Sequence, residues 1–421
     1  MQGGQARGLG LRVGASRLNH RALRLFGGRL PAVTGGWMPW LGLSDYPIPA
    51  LPGPDWVRVR PLLAGICGSD TALLTGRASA ILSPFASFPA VLGHEVVGIV
   101  EAAGSQATAW AGARVVVDPI ISCFVRGLDP CPACRDGLPA LCRHAADGSI
   151  SPGMLIGFCR DLPGAWSEAM LAHVSQLHRV PDSVSDEAAV LVEPLACSLH
   201  AVLAAPPGHD EKVLVVGGGT IGLGVLYGLR MVAPGVDVTA LVRHPVQARL
   251  AERFGASRVL LDRGRDGAQR AAVQVTGARR HRPIDGGEVL TGGFDLVFDG
   301  VGSMATVDAC LRVVAPRGRI VLLGTAGELE HLDLTLAWAR ELRVIGSYVY
   351  GREGSLPGAP HTFDYLLERL ARDEAPPVAE LVTHRFGLGD WRQAMTVATG
   401  RGRHASVKVV FDHASAYAGR D

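Results

Sequence analysis

Apolar and polar positions follow two rhythms along this chain, and the change falls near residue 206. From Arg21 to about Leu195 the pattern is short alternation broken by Gly and Pro. Val57-Arg58-Val59-Arg60, Glu95 to Glu101 and Arg114 to Val117 all read as half-buried strands. That texture predicts an irregular β-barrel domain. After Pro206-Pro207-Gly208 the apolar runs become continuous. Lys212 to Val216 reads as a buried strand, and a Gly-rich turn then opens a helix running to about Val232. Asp237 to Val242 is a second strand. Pro245 starts a helix with Val246, Leu250 and Phe254 on one face, and Gly255 stands where such a helix stops. Further strands are expected at Val259–Leu261, Phe294–Phe298, Ile320–Leu323 and Val344–Ile345, with a helix from about Met304 to Val314. Strands alternating with helices of about ten to twelve residues predict an α/β domain built on a doubly wound parallel sheet.

The chain after Ser347 returns to mixed texture, with one last strand at Val407–Phe411. The α/β domain, residues 196–346, is therefore expected as an insertion into a barrel domain made of 21–195 and 347–421. Arg263 to Gly293 carries six Arg and reads as a solvated loop insertion with one weak helix. Residues 1–20 are Gly-rich and Arg-bearing, and no acid precedes Asp45. They are expected to be a disordered extension, although an organellar transit peptide has the same character.

Composition narrows the function. The 421 residues are too many for one compact core, and 48% apolar with 19% charged excludes global disorder. Lys plus Arg (41) against Asp plus Glu (39) leaves +2, so no bulk positive field draws in nucleic acid. A charge-free apolar span of membrane length is missing, so no membrane partner is expected. Eight Cys do not make a disulfide scaffold in a chain this long, and no apolar signal segment begins it. A reducing, cytoplasmic setting is therefore expected, in which clustered Cys mean metal or catalysis. Only Lys212 and Lys408 among the basic residues are lysines, which reads as genome composition bias.

Two motifs carry chemistry by their spacing. Gly217-Gly218-Gly219-Thr220-Ile221-Gly222 fits G-x-G-x-x-G between a strand and a helix. Glycines there permit a tight turn and let the backbone approach a pyrophosphate at the helix N-terminus. Cys123, Cys131, Cys134 and Cys142 fall on one Pro- and Gly-punctuated loop as C-x7-C-x2-C-x7-C. Four thiolates suit a closed tetrahedral zinc site, structural because it keeps no open position; free thiols or transient disulfides are the alternative. A third set is dispersed: Cys67 in Cys-Gly-Ser-Asp, His94 in Gly-His-Glu and Glu193 in Val-Glu-Pro. Taken singly, each has a structural explanation as a buried Cys, a core His or a helix-entry Glu. Cys159, Cys197 and Cys310 lie outside these sets and read as small apolar residues.

Gly93-His94-Glu95-x2-Gly98-x5-Gly104-x2-Ala107, with the Cys-Gly-Ser-Asp segment before it and the four-Cys loop, Glu-Pro and G-x-G-x-x-G after it, resembles the zinc-dependent medium-chain alcohol dehydrogenases. The resemblance spans about Arg21 to His413 and is nearest the polyol, threonine and sugar dehydrogenase branch. It implies a GroES-like catalytic barrel with an inserted Rossmann domain, and hydride transfer between an alcohol and NAD(P) with the alkoxide bound to a catalytic zinc. The substrate is expected to be a secondary alcohol, polyol or sugar-like molecule, reacting reversibly with its carbonyl product. Carried over, Cys67, His94 and either Glu95 or Glu193 hold that zinc, Ser69 relays the proton, and a homodimer or homotetramer is the usual assembly. A turn-capping hydroxyl is the alternative reading of Ser69. Rivals are a zinc-free quinone or enone reductase of the same superfamily, which the metal ligands argue against, and a non-catalytic nucleotide-binding protein.

Two departures from the family pattern bear on this. Many relatives place a relay His five residues after the ligand Cys, where this chain has Ala72. The first two Cys of the loop are also seven apart rather than two, so Arg126 to Asp129 must bulge out for Cys123 to reach a metal. Pocket walls are expected near Phe85, Phe88, Phe158 and Trp166. NADP is expected over NAD. The acid that accepts the ribose 2′-OH belongs at the end of the second strand, Asp237 is too early, and family spacing puts Val242 there. Arg243 and His244 come next, then Arg249, and an Arg fork suits a phosphate.

Overall fold

A computed structural model describes residues 7–14, 40–48, 50–262, 264, 266–284, 287–324, 327–329, 331–372 and 378–413. The chain divides into two compact units, one of 1–193 with 363–421 and one of 194–362.

The first unit begins with β1 (Arg7–Val13) and β2 (Leu41–Pro47), followed by β3 (Trp56–Gly65), helix α1 (Gly68–Leu74), β4 (Ala90–Val91), β5 (Val96–Ala103), β6 (Arg114–Val117), β7 (Met170–His173) and β8 (Leu177–Arg179). β1 pairs antiparallel with both β2 and β4. The expectation of an unstructured extension over 1–20 is therefore corrected for Arg7–Val13; the rest of that span, Gly14 apart, lies outside the described residues. Leu11 and Val13 alternate with Gly10 and Arg12 and are buried, and Gly10 lets the strand lie against the Tyr46 ring. Two of the glycines that suggested a loose tail, Gly8 and Gly10, are strand residues packed against Glu168 and Tyr46.

Alternation sets the larger sheet. Val57 and Val59 of β3 are fully buried, and Arg58 and Arg60 face outward. β3 pairs with β5 (Val59 opposite Val100, Ala64 opposite Val96), β5 with β6 and β6 with β8, while β7 joins the start of β3.

The second unit is a six-stranded parallel sheet. Its strands are β9 (Lys212–Val216), β10 (Asp237–Val242), β11 (Arg258–Leu261), β14 (Phe294–Asp299), β15 (Val314–Leu322) and β16 (Arg343–Gly346), in the order β11-β10-β9-β14-β15-β16. Between them run α2 (Thr220–Val232), α3 (Pro245–Arg253), α4 (Gly267–Thr276) and α5 (Met304–Val313). The order reverses between β9 and β14, the switch point at which such sheets bind ligands beyond their strand ends. The Arg-rich stretch is not simply a loop: α4 buries Ala268, Ala271 and Ala272, and β12 (Arg279–His281) and β13 (Val289–Thr291) form a hairpin with Leu290 in the core. Small apolar residues spaced for one helix face carry that packing.

The unit ends at 362 rather than 346, because its polar groups hold 347–362. The Ser347 N–H donates to the Leu322 carbonyl (3.0 Å), and buried Glu353 meets His200 (3.0 Å) and Thr362 (2.6 Å). The chain then returns to the first unit as β17 (Val382–Phe386) and β18 (Lys408–Asp412), the latter antiparallel to the end of β3. Among the described residues no helix is long and apolar enough to cross a membrane.

Candidate active site

β3 ends at Gly65 and the chain turns at once into α1, with Cys67 as its N-cap. The Cys67 N–H donates to Asp70 Oδ2 (2.9 Å), which fixes the turn and stands the sulfur at the mouth of the helix. His94 follows Gly93, whose φ is +98°; a Cβ there would lie 2.4 Å from Cδ1 of Trp166. Only glycine makes this turn, and it carries His94 beside Cys67. The imidazole is buried, with Nδ1 3.5 Å from Asp70 Oδ1 and Nε2 3.5 Å from Ser69 Oγ. Burial alone would depress this histidine, yet Asp70 and Cys67 beside it hold its proton affinity well above the usual value.

Ligand atoms of Cys67, His94 and Glu95 lie within 4.8 Å of one another. Glu193 falls outside that set but is buried at the start of the helix Val192–Ala204. Burial, opposed by His94 and reinforced by Glu95, pushes its carboxyl up to about 7. Lys408, expected as no more than composition bias, donates from Nζ to both oxygens of Glu95 (2.7 and 2.6 Å), all of it buried. The available signal was chemical: in an Arg-dominated chain, a lysine on an apolar strand offers a compact ammonium that can sit on both oxygens of one buried carboxylate. Cys67, Asp70, Glu95 and Glu193 put more acid than Lys408 can balance into a dry region. His94 Nδ1 and Asp70 Oδ1 make no hydrogen bond there. Such a donor set fits a divalent cation, and its mixture of thiolate, imidazole and carboxylate fits zinc.

Ala72 is buried within α1 and offers no proton carrier. Of the four aromatic residues expected at the pocket, Phe158 has its ring 5.6 Å from that of His94, while Phe85 and Phe88 flank Ser87, whose N–H donates to the Phe158 carbonyl (3.0 Å). Trp166 is core instead: fully buried, it donates to the Gly65 carbonyl (3.0 Å) and meets Phe411 edge-on. Its indole N–H needed a partner, and the end of β3 supplied one.

Cys123, Cys131, Cys134 and Cys142 converge within 4.8 Å, with the sulfurs of Cys123 and Cys142 3.5 Å apart. That approaches the edge of about 3.8 Å of a tetrahedron with Zn–S near 2.3 Å. Burial pushes the Cys134 and Cys142 thiols up, so four thiolates require a cation between them. The extra residues do not all bulge outward as expected. A turn closed by the Arg126 and Leu128 N–H groups on the Ser122 and Cys123 carbonyls folds Arg126 inward. There it donates to the carbonyls of Ala145, Asp147, Ile150, Ser151 and Gly153 at 2.7–3.4 Å.

In the second unit the Gly turn has the shape that a pyrophosphate needs. Gly217 has φ +103°, and a Cβ on Gly222 would sit 1.9 Å from the Gly217 carbonyl oxygen. Gly219 caps α2 without a side chain, leaving the N–H groups of Thr220, Ile221 and Gly222 open at the first turn. Val242 is buried at the end of β10, Arg243 and Arg249 are exposed, and the backbone N–H groups of Arg243 and His244 both donate to Gln247 Oε1 (3.1 and 3.2 Å). Arg243 Nε also lies 3.5 Å from Asp262 Oδ2, an acid that no motif in the sequence singles out.

Two family models match this chain: "Alcohol dehydrogenase GroES-like domain" over residues 53–182 and "Zinc-binding dehydrogenase" over 220–372. An L-idonate 5-dehydrogenase of Vitis vinifera is 32% identical over 390 residues, covering 88% of this chain and 92% of its own. An erythritol/L-threitol dehydrogenase of Mycolicibacterium smegmatis is 29% identical, covering 85% and 90%. Among solved structures, one described as a zinc-binding dehydrogenase from Sinorhizobium meliloti 1021, bound to NADP, superposes with a TM-score of 0.71 at 26% identity, covering 97% of this chain and all of that one. The fold and the site thus define a GroES-like and Rossmann dehydrogenase. The chain belongs to the zinc-type medium-chain alcohol dehydrogenase family. It is an alcohol dehydrogenase, an oxidoreductase acting on a small-molecule alcohol.

Proposed function

We propose that the chain catalyses reversible hydride transfer between NAD(P) and a secondary alcohol, polyol or sugar-like substrate at a zinc ion held by Cys67, His94 and a carboxylate. The observation that carries this reading is the convergence of half-buried Cys67 with buried His94 and Glu95, with Asp70 behind the histidine. Zinc supplies Lewis acidity that lowers the pKa of a bound hydroxyl, and the nicotinamide supplies the hydride acceptor. Asp70 Oδ1 stands 3.5 Å from His94 Nδ1, on the side from which a carboxylate orients a metal-bound imidazole. Ser69 Oγ, near His94 Nε2, accepts the alcohol proton and passes it toward solvent while two electrons and the hydrogen leave carbon as hydride. Lys408 Nζ holds both Glu95 oxygens in place next to the site. Glu193, held near neutrality, acts as the alternative carboxylate, working through water.

The four-Cys cluster is proposed as a structural zinc site. NADP is the proposed cofactor, supported by the missing acid at Val242 and by the Arg243, His244 and Arg249 cluster. Assembly as a homodimer or homotetramer in the cytoplasm belongs to the same proposal.

Metal analysis should return two zinc per chain. Cys67→Ser should abolish the absorbance change at 340 nm and keep the fold, whereas Cys134→Ser should lower the melting temperature. One zinc per chain, or full turnover in Cys67→Ser, would overturn the assignment. The ratio of kcat/KM for NADP over NAD should exceed one and fall in Arg243→Ala. A tenfold preference for NAD, or a ratio that the substitution leaves alone, would exclude Arg243 as a phosphate ligand.

A further inference from the structure

Asp262 occupies the strand end next to the one that lacks an acid. Its N–H donates to the Val242 carbonyl (2.7 Å), so the ends of β10 and β11 are level. Its Oδ2 lies 3.5 Å from Nε of Arg243. Its Oδ1 turns toward the start of α4, where a Cβ on Gly267 would be 2.1 Å away. A glycine at that point makes room for the carboxylate, and the N-terminal end of the helix favours its negative charge. On the other side of Val242 the phosphate-cradling turn comes equally close: a Cβ on Gly218 would be 2.8 Å from Val242 Cγ1 and 2.6 Å from Gln247 Cβ. The Asp262–Arg243 pair and the glycine turn therefore flank one strand end. Asp262 is 21% exposed and Arg243 66%, so the guanidinium faces outward with the carboxylate behind it.

We propose that Asp262 is a specificity-determining residue for the dinucleotide, holding Arg243 and opposing a 2′-phosphate so that NAD stays acceptable. The inference rests on the reading of Arg243 given above. A 2′-phosphate must take the guanidinium from Asp262 and settle near a like charge. A 2′-hydroxyl meets no such opposition and can donate to a carboxylate. Over several ångströms at a partly exposed site, the opposition corresponds to roughly fivefold to tenfold in affinity.

The test is calorimetric and needs no turnover: the full-length protein is titrated with 2′,5′-ADP and with 5′-ADP. Asp262→Asn should bind 2′,5′-ADP roughly fivefold to tenfold more tightly, with 5′-ADP unchanged or weaker, and the gain should shrink without vanishing when Arg243→Ala is added, because the like charge also acts on the phosphate directly. Asp262→Ser, checked with the others for an unchanged far-ultraviolet spectrum, should repeat the gain and guards against an asparagine-specific rearrangement. If Arg243→Ala weakens 2′,5′-ADP binding but neither Asp262 variant strengthens it, this inference falls and the NADP reading stands. If Arg243→Ala leaves 2′,5′-ADP binding unchanged, both fall.

Discussion

Lys408 holds a full negative charge in a dry place at the side of the donor set. Glu95 has no exposed surface, and its two oxygens share the one ammonium. Removing one partner of such a pair strands the other, at a typical cost of about 3–5 kcal/mol. Lys408→Met should therefore lower the unfolding free energy measured in urea by an amount of that order, and Lys408→Arg, which keeps the charge in a larger head, should lose less. An unchanged unfolding free energy in Lys408→Met would mean that the Lys408–Glu95 pair contributes nothing to stability. The comparison is made at Lys408 alone, since Glu95 itself belongs to the proposed metal site.

At the scale of elements, the loop carrying the four cysteines is tied to the neighbouring segment by one side chain. The Arg126 guanidinium bridges five carbonyls between Ala145 and Gly153, a stretch with few backbone partners of its own. Arg126→Met would fill much of the same volume and remove the donors to the Asp147, Ile150 and Gly153 carbonyls, while Ala145 and Ser151 keep the Gly153 N–H and the Cys159 thiol. The expected loss is about 2–4 kcal/mol, seen as a melting temperature several degrees lower, with partial recovery in Arg126→Lys. A melting temperature equal to that of the parent would show that water satisfies the carbonyls equally well. Residue 126 was legible only as a loop arginine, because its acceptors lie 19 to 27 positions further on and carry no side-chain signature.

For the molecule as a whole, the first unit is closed by a strand that returns after the insertion, and the residue just beyond that strand makes it less stable in acid. His413 comes directly after β18, its N–H donates to the Leu62 carbonyl (3.0 Å), and its ring is buried. Burial pushes its pKa down to about 4. An unfolded histidine takes its proton near 6.5, so between these values the unfolded chain binds more protons than the folded one. Stability is undiminished by this group above pH 6.5 and falls as the pH drops toward 4, by about 3 kcal/mol in all. The slope of unfolding free energy over that window should be shallower in His413→Leu than in the parent. Equal slopes would mean that the buried ring takes up its proton as readily as a free one.

Local order was legible wherever neighbouring residues decide it. β9 and β10 begin and end at the residues expected from the sequence, and the glycines of 217–222 stand at the turn between β9 and α2 because tight turns and close backbone approach are local demands. The four cysteines announced a cluster because all lie within one loop. The GroES-like and Rossmann classes followed from that texture together with a family resemblance. Tertiary structure alone decided pairings across long stretches of chain: Lys408 on Glu95, His413 under Leu62, Arg243 beside Asp262, and Trp166 in the core instead of the pocket wall. The physical reason is that a buried charge or indole N–H demands a partner without saying which residue supplies it. Periodicity reports which face of an element is buried, and the identity of the group across from it appears only when the sheets have closed.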